Sequence, residues 1–173
     1  MTFTSDSPST RFSSSFNYNN QTADTVTSTI AVFKALTVDD QLAVLWYAYT
    51  EMGKSITPAA TGAARLQLAE GLLNQIKKMS HLEQLEAIRD LAAQKNTQIS
   101  RSYGILSANT KLALWYELAE LMAKGFVVPV PAGYQMSRDG AQVLETLKEL
   151  DFGQQITVFR KVVIEMGVDP LAD

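Results

Sequence analysis

Two aromatic clusters carry most of the chemistry legible in this chain. Trp46, Tyr49 and Met52 recur at spacings that a helix of ~3.6 residues per turn brings to one side, and Trp115, Ala119 and Met122 do the same further along. Both tryptophans of the chain sit in these clusters, each followed directly by a tyrosine. A stripe of this kind is wide, flat, polarizable and uncharged. It suits packed core, or equally the wall of a long conjugated apolar ligand held between helices.

Acid–base, nucleophilic and metal chemistry find little material. His81 is the single histidine and falls in a first helical turn beside Ser80, where exposure is expected. No strand-to-helix nucleophile turn surrounds it. Asp39 and Asp40 stand at a helix start, where they complement the dipole; Glu117 and Glu120 read as a solvated face. Gly62, Gly71 and Gly104 make no phosphate-cradling loop. Cysteine is absent, which removes disulfides, thiolate nucleophiles and thiolate metal sites together and fits a reducing cytosol. The expectation is a protein that is not an enzyme, with no catalytic residue and no metal site.

A chain of 173 residues, 46% hydrophobic and 19% charged, is sized for one globular domain. Its net charge of −3 disfavours nucleic acid as partner. No stretch approaches the roughly 18 apolar residues of a membrane span, and the N-terminus lacks the pattern of a secretory signal. A cytoplasmic location is expected.

The elements that position the clusters are helices. Residues 1–21, rich in Ser, Thr and Asn, read as a mobile N-terminal arm whose Phe3, Phe12, Phe16 and Tyr18 are available for docking. Residues 22–173 read as one helical domain. A first helix runs from Thr25 to Leu36, with Ile30, Phe33 and Leu36 on one face. Thr37 caps a second, which Gly53 ends. A third starts near Pro58 and runs toward Met79; Ser80 and Glu83 form a capping box for a fourth, ending near Lys95. Ser107 opens a fifth and Gly125 closes it, Ser137 opens a sixth, and Asp151 caps a seventh that Gly167 stops. Asn96–Leu106 reads as a polar connector. Phe126–Met136, with Pro129 and Pro131, must run extended, as a pocket wall or as a loop over the core. The fold class is all-α and bundle-like.

Four segments in the same order carry a resemblance: Asp40–Lys54, Lys111–Leu118, Pro129–Gln135 and Gly153–Arg160. Together they resemble the N-terminal, all-helical domain of the cyanobacterial orange carotenoid proteins, from about residue 22 to residue 169. The resemblance implies two interleaved four-helix bundles around a keto-carotenoid of the canthaxanthin, echinenone or 3'-hydroxyechinenone class. Carried over position by position, it places Leu42, Leu45, Trp46, Tyr49 and Met52 on one side of the pigment tunnel and Leu112, Trp115, Tyr116, Ala119 and Met122 on the other. Val130 and Tyr134 match its cover, and Ile156, Thr157, Arg160 and Met166 its last helix. Arg160 matches an arginine that in the two-domain proteins helps hold the domains together and then engages the phycobilisome. Leu106 stands where the family has another tryptophan, and Arg89 where it has a cysteine.

What the resemblance implies for function is a water-soluble photoprotective protein that quenches singlet oxygen and excited antenna states by energy transfer to the polyene. Direct quenching of the phycobilisome, with peripheral association at the thylakoid, and carotenoid carriage are variants of that reading. A separate carotenoid carrier resembling the family's C-terminal domain is a further expected partner. No second, α+β domain is expected in this chain, nor a light-driven switch of the two-domain kind. A pigment-free helical interaction module is the alternative of a different class.

Overall fold

Every helix whose start is described with its cap begins on a short polar side chain. In the computed structural model, which describes residues 13–56 and 66–172, eight helices and no strand are found among the described residues. They are α1 (Ser13–Ala35), α2 (Val38–Ile56), α3 (Leu66–Lys77), α4 (His81–Ala92), α5 (Gln98–Gly104), α6 (Ala108–Ala123), α7 (Arg138–Glu149) and α8 (Phe152–Ile164). Thr37 accepts from the Asp40 N–H at 3.3 Å before α2. Ser80 with Glu83 and Asp151 with Gln154 form full capping boxes on α4 and α8. Thr97, Ser107 and Ser137 cap α5, α6 and α7. Gly125 and Gly167, at φ +76° and +75°, turn the chain out of α6 and α8 in the left-handed conformation that side chains resist.

Three elements differ from the sequence reading. Helix α1 begins at Ser13, inside the stretch read as an arm, while residues 1–12 lie outside the described residues. Its Thr25, Thr27 and Thr29 hydroxyls donate to carbonyls one turn earlier, so a polar composition is compatible with helix there. Helix α5 lies within the expected connector. Its polar sequence hides a buried face of Ile99, Ser100 and Tyr103, too short for a periodicity signal. Gly53 does not end α2, which continues to Ile56; the expected start of α3 at Pro58 lies outside the described residues.

The packing divides the helices by position in the chain. Helices α1 and α2 pack on α7 and α8, forming one four-helix bundle from the two ends of the described chain. Helices α3 to α6 form the second. The bundles join where α2 meets α4 and α6, and where α6 meets α8. One continuous apolar core runs through both, from Phe33 and Val44 through Leu91 and Leu118 to Leu147 and Val163. The expectation of two interleaved four-helix bundles is met.

The extended segment after α6 is pinned at both ends by buried polar groups. Gln84 of α4, 1% exposed, donates to the Phe126 carbonyl at 2.9 Å and accepts from the Val128 N–H at 3.1 Å. Asp40 of α2, 3% exposed, accepts from the Tyr134 hydroxyl at 2.8 Å and the Ser137 N–H at 2.9 Å. Burial alone would raise the Asp40 carboxyl, but the bonds from Ser137, Tyr134 and Thr37 outweigh it and hold it below its ordinary 3.8. A depressed folded-state value stabilises the fold above the unfolded value and loses that contribution as pH falls through the folded one. The wild-type protein is therefore expected to lose stability on acidification below about pH 4. Asp40→Asn should be less stable at pH 7 by about 1–3 kcal/mol and flatter between pH 5 and 3. Thermal melts across that range check it; parallel pH curves for the two proteins would contradict the role.

Arg89 forks onto Asp39 through Nε at 2.8 Å and an Nη at 2.9 Å, tying α4 to α2.

Candidate functional site

Helices α2 and α6 face one another across the junction of the two bundles, and the side chains between them are almost all apolar or aromatic. Leu42, Leu45, Trp46, Ala48, Tyr49 and Gly53 come from α2, and Leu112, Trp115, Tyr116, Ala119 and Met122 from α6. Phe159 and Val163 of α8 complete the lining from below, with Pro129 from the extended segment. They line an open groove with a cavity volume of about 60 Å³. No charged side chain lines it.

The rings are held in order. Trp46 and Tyr49 stack with centroids 6.0 Å apart and planes 21° from parallel, and Tyr49 meets Tyr116 edge-on at 5.7 Å and 67°. Gly53 makes room for this arrangement, because a Cβ there would fall 2.8 Å from Cδ2 of Tyr49. That contact explains why a glycine stands inside α2 rather than after it.

Polar anchors sit behind both walls. The Trp115 indole N–H donates at 2.9 Å to the hydroxyl of fully buried Tyr103, which itself donates to the Val163 carbonyl at 2.5 Å. Burial pushes the Tyr103 phenol far up, so it stays protonated and able to donate. The Lys111 ammonium, 4.8 Å over the Tyr103 ring, donates to the carbonyls of Ile164 at 2.8 Å and Met166 at 3.4 Å, closing the C-terminal end of α8. Glu120, also on α6, accepts from the hydroxyls of Tyr49 on α2 and, at 3.0 Å, of Tyr116. Burial, then the bond to Glu120, raises the Tyr49 phenol; the Tyr49 bond leads the effects that hold Glu120 below its ordinary 4.5. Glu120 is thus no member of a solvated face, as its spacing from Glu117 suggests, but the acceptor for two wall residues.

Of the residues assigned by resemblance, the groove brings together Leu42, Leu45, Trp46, Tyr49, Leu112, Trp115, Tyr116, Ala119 and Met122. The others lie elsewhere. Met52 is half-buried with Sδ 3.4 Å from the Gln155 amide. Met166 is 4% exposed in the core, and Ile156 packs half-buried against that core. Val130 is half-buried outside the lining, and Tyr134 is engaged by Asp40. Thr157 and Arg160 are exposed on α8. The sequence reading missed Ala48, Gly53, Pro129, Phe159 and Val163. Phe159 and Val163 lie on the apolar face of α8 visible in the spacing Ile156, Phe159, Val163, Met166; the lining role of Gly53 was hidden by its usual meaning as a helix stop.

No helix among the described residues is long and apolar enough to cross a bilayer. His81 is exposed, and the described residues contain no group of three or more histidines and carboxylates placed to hold a metal ion.

Comparison with known proteins places this arrangement in context. The chain is 79% identical over its whole length, and over the whole of the relative, to an orange carotenoid-binding domain-containing protein of Nostoc sp. strain PCC 7120. The orange carotenoid protein of Anabaena (Nostoc) sp. PCC 7120, solved binding canthaxanthin, is 52% identical with a TM-score of 0.78; the match covers 86% of this chain and 48% of that one. This chain therefore spans about half its length. The red carotenoid protein of the same organism, also solved binding canthaxanthin, is 41% identical with a TM-score of 0.73 and covers 83% and 98% of the two chains. Residues 19–169 match the family described as the orange carotenoid protein, N-terminal. The eight helices and their groove belong to a member of the orange carotenoid protein N-terminal domain family.

Proposed function

We propose that the groove between α2 and α6 holds a keto-carotenoid of the canthaxanthin or echinenone class, and that the protein is photoprotective. The observation that carries the reading is the groove itself: uncharged and walled by Trp46, Tyr49, Trp115 and Tyr116. Rings and a polyene are matched by such walls, and the small Ala119 and Gly53 keep side-chain bulk out of it. Relatives solved with canthaxanthin support the choice of ligand. A bound keto-carotenoid supplies a low-lying excited state that takes up excitation energy and releases it as heat. The chain's own part is to orient the rod between fixed rings, shield it from water and set the polarity around its ends. No step of this reading requires an acid, a base or a covalent turnover.

The test is a visible absorption spectrum of the protein purified from cells that make keto-carotenoids. A carotenoid band co-eluting with the protein, red-shifted from the free pigment, is expected, together with slower singlet-oxygen damage in its presence. A colourless, folded protein from the same cells would overturn the reading and leave a pigment-free interaction module.

One observation favours a sharper reading. Arg160 is exposed on α8 and forms no ion pair among the described residues, although apolar neighbours surround it in sequence. A cation presented in this way suits docking on an acidic partner. We infer direct quenching of the phycobilisome, at its thylakoid-bound surface, with Arg160 at the interface; carriage of pigment to or from a separate carrier resembling the family's C-terminal domain would use the same groove. Phycobilisome fluorescence should fall when the pigmented protein is added and recover most of its intensity with Arg160→Glu. Equal quenching by both proteins would remove Arg160 from the interface.

A further inference from the structure

The groove's cavity volume, about 60 Å³, is well short of the roughly 300–1,000 Å³ of sites that take small molecules. A rod the length of a carotenoid therefore enters only as α2 and α6, or the rings on them, move apart. The residue that opposes this is Glu120. It stands on α6 one turn after Tyr116, and its Oε1 accepts from two phenols at once, Tyr116 on its own helix and Tyr49 on the facing one. The bond to Tyr49 joins α2 to α6 behind the lining, so it ties the first bundle to the second beside the groove.

The arrangement is over-determined on the Tyr49 side. Its ring is stacked on Trp46, edge-on to Tyr116 and seated on Gly53, and its only way to swing away from α6 is to release the carboxylate. The other oxygen of Glu120 faces the Lys124 ammonium at 3.6 Å, with Lys124 largely exposed, so the phenols rather than this pair determine where the carboxylate sits. Hydrogen bonds to a charged acceptor are about twice as strong as neutral ones. Only the bond to Tyr49 joins the two helices; the bond from Tyr116, on the same helix as Glu120, holds the carboxylate in place for it.

We propose that Glu120 is a positioning residue that latches the groove shut, so that pigment uptake requires its bond to Tyr49 to break. This rests on the carotenoid reading of the groove and adds to it a control on entry. The latch slows loading and unloading alike, and keeps the aromatic walls together when no ligand parts them.

The test measures uptake of canthaxanthin from phosphatidylcholine vesicles by pigment-free protein, followed by the protein-bound visible band. Glu120→Gln keeps the size of the side chain and removes its charge. It should take up canthaxanthin about tenfold faster than wild type, equivalent to about 1.4 kcal/mol. The paired variant Tyr49→Phe with Tyr116→Phe leaves the carboxylate and removes both donors, and should be accelerated by a similar factor. The triple variant should be no faster than the phenylalanine pair, because without the two phenols the charge of Glu120 has no bond left to strengthen. Uptake by wild type with unchanged or slower rates in the variants overturns the latch alone, as do accelerations that simply multiply. Failure of every protein, wild type included, to take up canthaxanthin removes the carotenoid reading and the latch with it. Because the phenylalanine pair does not touch Glu120, a misfolded Glu120→Gln would not leave the latch undecided.

Discussion

Trp115→Ser is expected to abolish retention of pigment while the helices persist. Trp115 is 8% exposed, supplies the largest flat surface on the α6 wall, and is held by its bond to Tyr103. Removing the ring deletes that wall, leaves a void beside the groove and deprives the Tyr103 hydroxyl of its donor. The cost to the fold is about 3 kcal/mol or more, a fall of roughly 6–12 °C in melting temperature for a chain of this size. The effect on pigment should exceed what that loss explains: at 20 °C, where the far-UV circular dichroism remains helical, the carotenoid band should no longer co-elute. Trp115→Phe separates ring from N–H. It retains an apolar face, so pigment should be kept, with a shifted band reporting a ring no longer oriented by Tyr103. An unshifted band in Trp115→Ser would mean that the residue is ordinary core and that the rod lies elsewhere.

The largest single loss of stability without any loss of buried surface is expected from Gly104→Ala. A Cβ at the end of α5 would stand 1.9 Å from the carbonyl oxygen of Val168 and 2.9 Å from the N of Asp169. Both are backbone atoms of the segment after α8, which is held in place by bonds from Gly167 N–H to the Leu91 carbonyl at 2.8 Å and from Val168 N–H to the Ser100 carbonyl at 3.1 Å. A methyl group cannot be accommodated there by rotating a side chain. The segment must lift, breaking those bonds, at about 3 kcal/mol and roughly 6–12 °C. Gly71→Ala is the contrast, since nothing lies within 4 Å of its Cβ position on α3. There the better helix former should stabilise by about 0.5–1 kcal/mol. Melting curves of the two proteins should therefore move in opposite directions; a similar shift for both would show that the tail yields readily.

The parts of this structure that sequence exposes are those governed by local rules. Ser80 with Glu83, Asp151, Ser107 and Ser137 announce helix starts because a cap is a contact within four residues. Gly125 and Gly167 announce helix ends because a positive φ is a property of one residue. The same rule misleads at Gly53, where the glycine answers a neighbouring ring and not a turn. Helix α5 escapes notice because its burial comes from partners in α3 and α4, not from its own composition.

The site divides in the same way. Eleven lining residues lie on α2 and α6, whose aromatic spacing stands out in the sequence, and nine of them are legible from it. Phe159 is distant from both and is brought in by the packing of α8 on α6. Glu120 is hidden for a further reason. An acidic residue near the end of an amphipathic helix is usually hydrated, and the approach of Tyr49 from 71 residues away, which makes it an acceptor across the two bundles, is not visible in its own helix. Arg160, conversely, is prominent in sequence as a cation in an apolar run, yet it points to solvent and away from the lining.

The interleaving of the two bundles has a consequence for how such a protein is born. A ribosome delivers α3 to α6 as an uninterrupted block, so the second bundle can close while the first is still half made. Helices α1 and α2 must wait through that interval, with the α2 faces meant for α7 and α8 uncovered, until those two helices emerge. The floor of the groove is α8, the final helix of the eight. Until α8 emerges the groove lacks Phe159 and Val163, so its floor is the last part of the lining to be made.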